Sequence, residues 1–296
     1  MSICNLCPRK CNIDRTLGAG FCGQSETMRI ARIAPHFFEE PPISYKNGSG
    51  TIFFCGCNLR CIFCQNRNIS RNTSLGKEYS KEELIEEILK LQETGVHNIN
   101  LVTPTHFADK IAELLSDMKT KNLLSVPVVY NSSGYESLET LKMLDGLVDI
   151  YLPDIKYYSS EISKKYSYAE DYFDVARKAI LEMLRQTGKY KYQENEPALL
   201  ESGVIVRHLV LPSQRKDSIA IFERLSAIIS PSDVLVSIMS QYTPDFAKDC
   251  DYKELHRRIT SFEYFSVCDK VTELGFKGFM QARDSASSSY TPDFDS

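Results

Sequence analysis

The chain has no apolar run approaching the ~18 residues of a membrane-spanning helix, and its opening MSICNLCPRK lacks the apolar core of a secretory signal. Both absences point to a cytoplasmic protein without a membrane partner. Basic charge is not in excess either. The 35 Lys and Arg stand against 39 Asp and Glu, a formal net charge of −4, so nucleic acid is not an expected partner. A hydrophobic fraction of 43% and a charged fraction of 25% are ordinary for a globular protein, and 296 residues suffice for one large α/β domain plus a small appendage.

What the chain does have is cysteine, unevenly placed. Eight of its ten cysteines fall within the first 64 residues, in short spacings. In a reducing compartment such clustering indicates metal rather than disulfides. One group is Cys57-Asn-Leu-Arg-Cys61-Ile-Phe63-Cys64, three thiols spaced C-x3-C-x2-C. Three thiolates on a 4Fe-4S cube leave one iron open, which a metal centre needs in order to bind and transform a ligand. The plainer alternative is a zinc site or ordinary electron-transfer cluster, completed by Cys55, Cys250 or Cys268, in a non-catalytic carrier or interaction module.

The other group is Cys4, Cys7 and Cys11, joined after a Gly18-Ala-Gly20 turn by Cys22. Four soft ligands can close a tetrahedral site, and tetrahedral sulfur suits zinc or a second Fe-S centre alike. Pro8 and the glycines supply the tight turns that metal knuckles need. Residues 1–45 therefore form an N-terminal four-cysteine metal-binding segment ahead of a core over 46–284 and a tail over 285–296.

From residue 51 onward, β-rich runs alternate with amphipathic stretches, the pattern of parallel βαβ units. Strands are expected over 51–55, 98–102, 126–130, 148–152, 204–211 and 234–238. Helical stretches are expected over 108–121, 137–144, 168–186, 218–229 and 252–274. Another helix starts at a Ser80-Lys-Glu-Glu83 capping box and stops at Gly95. Six such units predict an α/β fold, an open (β/α)6 partial barrel. Residues 276–280 add an edge strand or line the opening.

Polar residues follow these strands, where α/β barrels place their chemistry. They are Thr103 and Thr105, Asn131 and Ser133, Asp154 and Lys156, then Gln241 beside Tyr242. Each has a structural alternative: a helix cap for the threonines, a plain loop for Asn131 to Gly134, and a salt bridge for Asp154 with Lys156. Arg207 and His208 are neighbours on a strand and so face opposite ways, one of them toward the barrel interior.

The runs CNLCPRKC, CNLRCIFCQN, HNINLVTPTH, YNSSGYE, DIYLPDIKY, VRHLVLP and MSQYTP together resemble radical S-adenosylmethionine enzymes. Within them the chain is similar to the PflX-type branch, which resembles pyruvate formate-lyase activating enzymes and the radical component of the AmmeMemoRadiSam system. The resemblance implies the partial barrel and a catalytic 4Fe-4S cluster on Cys57, Cys61 and Cys64, with Phe63 as the aromatic residue of the motif. It also implies S-adenosylmethionine, cleaved on reduction to a hydrogen-abstracting 5′-deoxyadenosyl radical. Thr103 and Thr105 stand where many such enzymes carry a Gly-Gly-Glu segment for the cofactor's amino group. Asp154 and Lys156 match an Asp-x-Lys motif that contacts the methionine carboxylate in activating enzymes. Asn131, Ser133, Arg207, His208 and Gln241 are the remaining candidate cofactor contacts. The implied partners are a flavodoxin or ferredoxin-type electron donor and a protein substrate, although a small-molecule or RNA substrate remains open, the acidic balance weighing weakly against RNA. No ferredoxin-like insertion of the activating-enzyme kind lies between Cys64 and Ser80.

Overall fold

The computed structural model describes residues 3–71 and 75–281. The tail from Ser285, including the closing Tyr290 to Ser296, lies outside the described residues.

Ten strands make one sheet: β1 (Met28–His36), β2 (Ser49–Phe54), β3 (Lys77–Tyr79), β4 (Ile99–Val102), β5 (Val128–Ser132), β6 (Ile150–Pro153), β7 (Lys191–Tyr192), β8 (Leu200–Leu209), β9 (Leu235–Met239) and β10 (Lys277–Met280). The order along the sheet is β10-β9-β8-β6-β5-β4-β2-β1-β3, with β7 paired to β8. From β2 to β10 every neighbouring pair is parallel, and β1 and β3 extend that sheet antiparallel beyond β2. The six expected parallel strands are therefore present, and residues 277–280 add a seventh at the edge.

Helices connect them on the outer face, as right-handed crossovers require. Lys81–Glu93 begins with the expected capping box, Ser80 accepting from the Glu83 amide while the Glu83 carboxylate accepts from the Ser80 amide. Ala108–Thr120, Leu138–Met143 and Arg215–Ser226 lie close to their expected spans. Two expectations change. The stretch 168–186 is a helix Tyr172–Thr187 preceded by a separate helix Ser160–Ser167, whose left-handed C-cap Tyr168 (φ 56°) stops it. The stretch 252–274 is helical mainly over Ser261–Glu273, because a second capping box at Thr260 and Glu263 fixes the start there. Cys250 consequently sits in a loop, and Cys268 is buried in the last helix.

The inner face of the sheet changes character along the strands. Alternate side chains share a face, and at the N-terminal ends these are Val129, Ile150, Ile205 and Leu235, which pack together with Leu152 and Leu200. Ile43, from the short helix Pro41–Ser44, is fully buried among them and plugs that end. Two residues further along, the same face carries Asn131, Arg207 and Ser237, and Asp154 follows Leu152. The barrel is thus apolar at one end and polar at the other.

Gly134, at the polar end, holds φ +74°, and a Cβ there would lie 2.1 Å from the Asp154 carbonyl oxygen. Gly134→Ala should therefore lower stability by at least about 2 kcal/mol in a thermal melt. A melting temperature equal to that of the wild type would contradict this account.

Candidate active site

Strand β2 runs into the loop carrying Cys57, Cys61 and Cys64, and all three line a cavity of about 630 Å³ at the polar end of the barrel. Phe63 anchors that loop. Its ring is buried against Tyr157, Tyr166 and Tyr242 at centroid distances of 6.5, 6.3 and 6.0 Å. Each thiol accepts a hydrogen bond: from the Leu59 amide to Cys57 (3.3 Å), the Ser167 hydroxyl to Cys61 (3.0 Å) and the Ser70 hydroxyl to Cys64 (3.5 Å). Burial pushes the Cys57 thiol up to about 12, with Cys61 and Cys64 adding to the effect, and burial raises Cys64 as well. Three desolvated sulfurs on one cavity wall, each with a donor in place, fit a three-thiolate cluster. Such donors also favour the thiolate form that iron takes.

Opposite in chemistry is a group of charges on neighbouring strands. Asp154 and Arg207 form a parallel bridge between the ends of β6 and β8, so their side chains emerge side by side. Arg207 Nε lies 3.1 Å from Asp154 Oδ1, Nη1 lies 3.4 Å from Glu39 Oε2, and Nη2 donates to Asn131 Oδ1. Lys156 Nζ donates to Asp154 Oδ2 at 2.6 Å. Burial alone would raise Asp154, but Lys156 and Arg207 hold it below the ordinary carboxylate range. Glu39 goes the other way. Burial drives it up to about 7 despite Arg207.

The cavity therefore gathers Cys57, Cys61, Cys64, Phe63, Thr103, Asn131, Ser133, Asp154, Lys156, Arg207 and Gln241. Thr103 holds a left-handed backbone (φ 59°). Gln241 joins Gln65 and Gln281: its carbonyl accepts from Gln65 Nε2 at 3.0 Å, and its Oε1 accepts from Gln281 Nε2 at 3.2 Å.

Two candidates do not belong. Thr105 is buried outside the cavity and donates to Glu136 Oε1 at 2.6 Å, because the turn after β4 carries its side chain toward the helix layer. His208 points to the outer face, as Arg207 takes the inner one. Its nitrogens pair with the Ile155 carbonyl (2.6 Å) and the Ser218 hydroxyl (2.8 Å), and burial pushes it down to about 4. Tyr242 likewise supports the core, its hydroxyl donating to the Leu255 carbonyl at 2.6 Å.

Glu39 and Glu40 also line the cavity, although the sequence reading passed over them. Two acids before a Pro-Pro pair have no characteristic spacing, and they reach Arg207 only because β1 folds back onto β2. Cys4, Cys7, Cys11 and Cys22 gather on two turns, closed by Lys10 N to Cys7 O (3.0 Å) and Gly23 N to Gly20 O (2.9 Å), and the Phe21 amide donates to Cys11 Sγ at 3.3 Å. Among the described residues no three Cys, His or carboxylate groups stand at metal-holding geometry in either cysteine group.

A family model described as the radical SAM superfamily matches residues 51–192. An uncharacterized protein of Methanocaldococcus jannaschii is 30% identical over 284 residues, covering 93% of this chain and 74% of the relative. Among solved structures, a spore photoproduct lyase mutant with dinucleoside spore photoproduct aligns with TM-score 0.50 and 10% identity, over 77% of this chain and 74% of that one. Streptococcus suis SuiB bound to precursor peptide SuiA aligns with TM-score 0.48 and 13% identity, over 85% of this chain. The chain spans 50% of the length of SuiB. The spore photoproduct lyase structure shows likeness of fold alone. The protein belongs to the radical SAM superfamily. The family implies S-adenosylmethionine, a 4Fe-4S cluster and enzyme chemistry of the radical SAM class.

Glu136, buried beside Thr105, is raised by burial to about 7 from an ordinary 4.5. Between those values the unfolded chain has shed a proton that the folded one keeps, so stability falls as pH rises through the window. Glu136→Gln should remove about 1–3 kcal/mol of that loss, read from urea midpoints at pH 5 and pH 8. An unchanged pH slope would refute the assignment. The variant removes only Glu136's share, since Glu39 is raised in the same window.

Proposed function

We propose that this protein is a radical S-adenosylmethionine oxidoreductase related to activating enzymes, and that it abstracts hydrogen from a polypeptide. The observation that carries the proposal is the shared cavity, with three hydrogen-bonded cysteines and an Asp154-Lys156-Arg207 charge group lining one space of about 630 Å³. That volume suits a nucleoside-sized ligand, whereas an electron carrier has no need of a charged cavity beside its cluster.

Cys57, Cys61 and Cys64 would hold the cluster. Bound there, cluster and S-adenosylmethionine would supply a reductively generated 5′-deoxyadenosyl radical. Lys156 and Arg207 present cations suited to the methionine carboxylate, and Arg207 can grip a carboxylate through two nitrogens at once. Asp154, Asn131 and Glu39 offer acceptors for amine or ribose hydroxyl groups. Thr103 and Gln241 supply further polar contacts at the rim. Phe38 (58% exposed) and Met280 (54% exposed) border the same cavity and give it an apolar lip, which favours a peptide segment over a small polar substrate.

Reduction requires an external donor of flavodoxin or ferredoxin type, and the free thiols suit a reducing cytoplasmic setting. A second metal, zinc or Fe-S, would be held by Cys4, Cys7, Cys11 and Cys22, four soft donors on two hydrogen-bonded turns, one of them accepting the Phe21 amide. No helix among the described residues is long and apolar enough to cross a membrane.

The test is anaerobic reconstitution with iron and sulfide, reduction with S-adenosylmethionine present, and quantification of 5′-deoxyadenosine. The wild type should form it and a Cys57/Cys61/Cys64→Ala variant should not. Arg207→Met should raise KM for S-adenosylmethionine about tenfold or more, equivalent to at least about 1.4 kcal/mol. Absence of product from a wild type with spectroscopically verified cluster would favour a carrier instead.

A further inference from the structure

Arg9 lies between Cys7 and Cys11, yet its guanidinium hydrogen bonds all reach beyond the N-terminal segment. Nε donates to the Asn58 carbonyl at 2.8 Å, Nη2 to the Ser167 carbonyl at 2.8 Å, and Nη1 to the Tyr168 carbonyl. Asn58 directly follows Cys57 in the cluster loop. Ser167 ends the helix Ser160–Ser167, and its hydroxyl is the donor to Cys61 Sγ. One side chain thus bridges the backbone next to one cluster cysteine and the residue that hydrogen-bonds another. Capping the carbonyls at a helix C-terminus is also where a cation is electrostatically favoured.

The neighbourhood fixes both ends of this bridge. The Arg9 guanidinium stacks 4.0 Å from the Phe21 ring centre, and the Phe21 amide is the donor to Cys11 Sγ. Asn58 is fully buried, donating to the Tyr135 carbonyl at 2.6 Å and accepting from the Ser133 hydroxyl at 3.3 Å. The Ile62 amide, next to Cys61, donates to the Tyr166 carbonyl at 2.9 Å. A second grip comes from the other end of the segment. A Cβ on Gly56, immediately before Cys57, would fall 2.7 Å from the Cys22 carbonyl and 2.6 Å from Gln24 Cγ. The chain around Cys22 therefore lies directly on the entrance to the cluster loop.

We propose that the N-terminal cysteine segment is a clamp on the cluster loop, with Arg9 as its positioning residue. Its two grips, at Arg9 and at Cys22 to Gln24, hold the loop on both sides of Cys57. A metal held by Cys4, Cys7, Cys11 and Cys22 would fix the spacing between the grips, and its occupancy would then set how firmly Cys57, Cys61 and Cys64 hold iron. That coupling rests on the reading of the four cysteines as a metal site, whereas the Arg9 contacts stand without it.

The test uses the full chain, reconstituted anaerobically, with three readouts: metal content, the electron paramagnetic resonance spectrum of the reduced cluster, and the half-time of iron loss under chelator. Metal at the N-terminal site is counted separately in a Cys57/Cys61/Cys64→Ala background. Arg9→Ala should keep that metal at wild-type stoichiometry, shorten the iron-loss half-time about tenfold and alter the spectrum. Ser167→Ala should alter the spectrum in the same sense without touching the segment. Arg9→Lys, which keeps the charge but cannot span three carbonyls, should recover only part of the loss, and it serves as the readout if Arg9→Ala fails to fold. A wild-type half-time and spectrum in Arg9→Ala, or in Arg9→Lys if only that variant folds, would overturn the clamp even with metal bound at the four cysteines. An Arg9 effect in a protein without that metal would uphold the positioning role and discard the second metal.

Discussion

Asp154, Lys156, Arg207 and Glu39 bring opposite charges together inside a barrel, where burial alone would push both carboxyls and the lysine toward their neutral forms. Removing an ion from water is expensive unless a partner and hydrogen bonds replace the solvent. The parallel pairing of β6 with β8 supplies the partner, because Asp154 and Arg207 stand in register on the same face. The balance is uneven. Two cations hold Asp154 ionised, while burial brings Glu39 close to neutrality at about 7. The site therefore carries one firm carboxylate beside one that burial shifts toward its neutral form.

This charge group is possible only because the sheet separates its two ends. With alternate side chains on one face, the same strands present Val129, Ile150, Ile205 and Leu235 at the closed end and Asn131, Asp154 and Arg207 at the open end. The apolar layer closes one end of the barrel. The polar layer can then face a ligand across a cavity whose remaining wall is the cysteine loop. Delivered at the C-terminal end of β2, that loop meets the charges without any long-range motion.

Much of this was legible in the sequence. The cysteine spacing, the Ser80 capping box and the run of parallel strands depend on local periodicity or short motifs, which survive without knowledge of the fold. Other features depend on contacts between distant segments. That Arg207 rather than His208 faces inward follows from registration against Asp154, on a strand far earlier in the chain. Thr105 and Thr103 have the same local chemistry, and only the turn after β4 sends one to Glu136 and the other to the cavity. Strand β1 alternates only at Met28 and Ile30, and with just those two residues buried the local signal is weak.

The strand missed in the sequence also brings a further acid into the cavity. β1 runs antiparallel to β2, so its C-terminal end arrives at the closed side of the barrel, and the chain must cross inside before β2 begins. It does so through Glu39, Glu40 and the short helix Pro41–Ser44. The helix is held by Ile43 and Ser44 amides donating to the Glu40 carbonyl at 2.8 and 3.1 Å. Ile43 plugs the apolar layer, and Glu39, just ahead of that helix, accepts from Asn100 Nδ2 at 3.2 Å and pairs with Arg207. One segment therefore closes the barrel and places an acid in the cavity. The two roles fall to residues four apart in the chain: Ile43 is fully buried in the apolar layer, while burial beside the cavity raises Glu39.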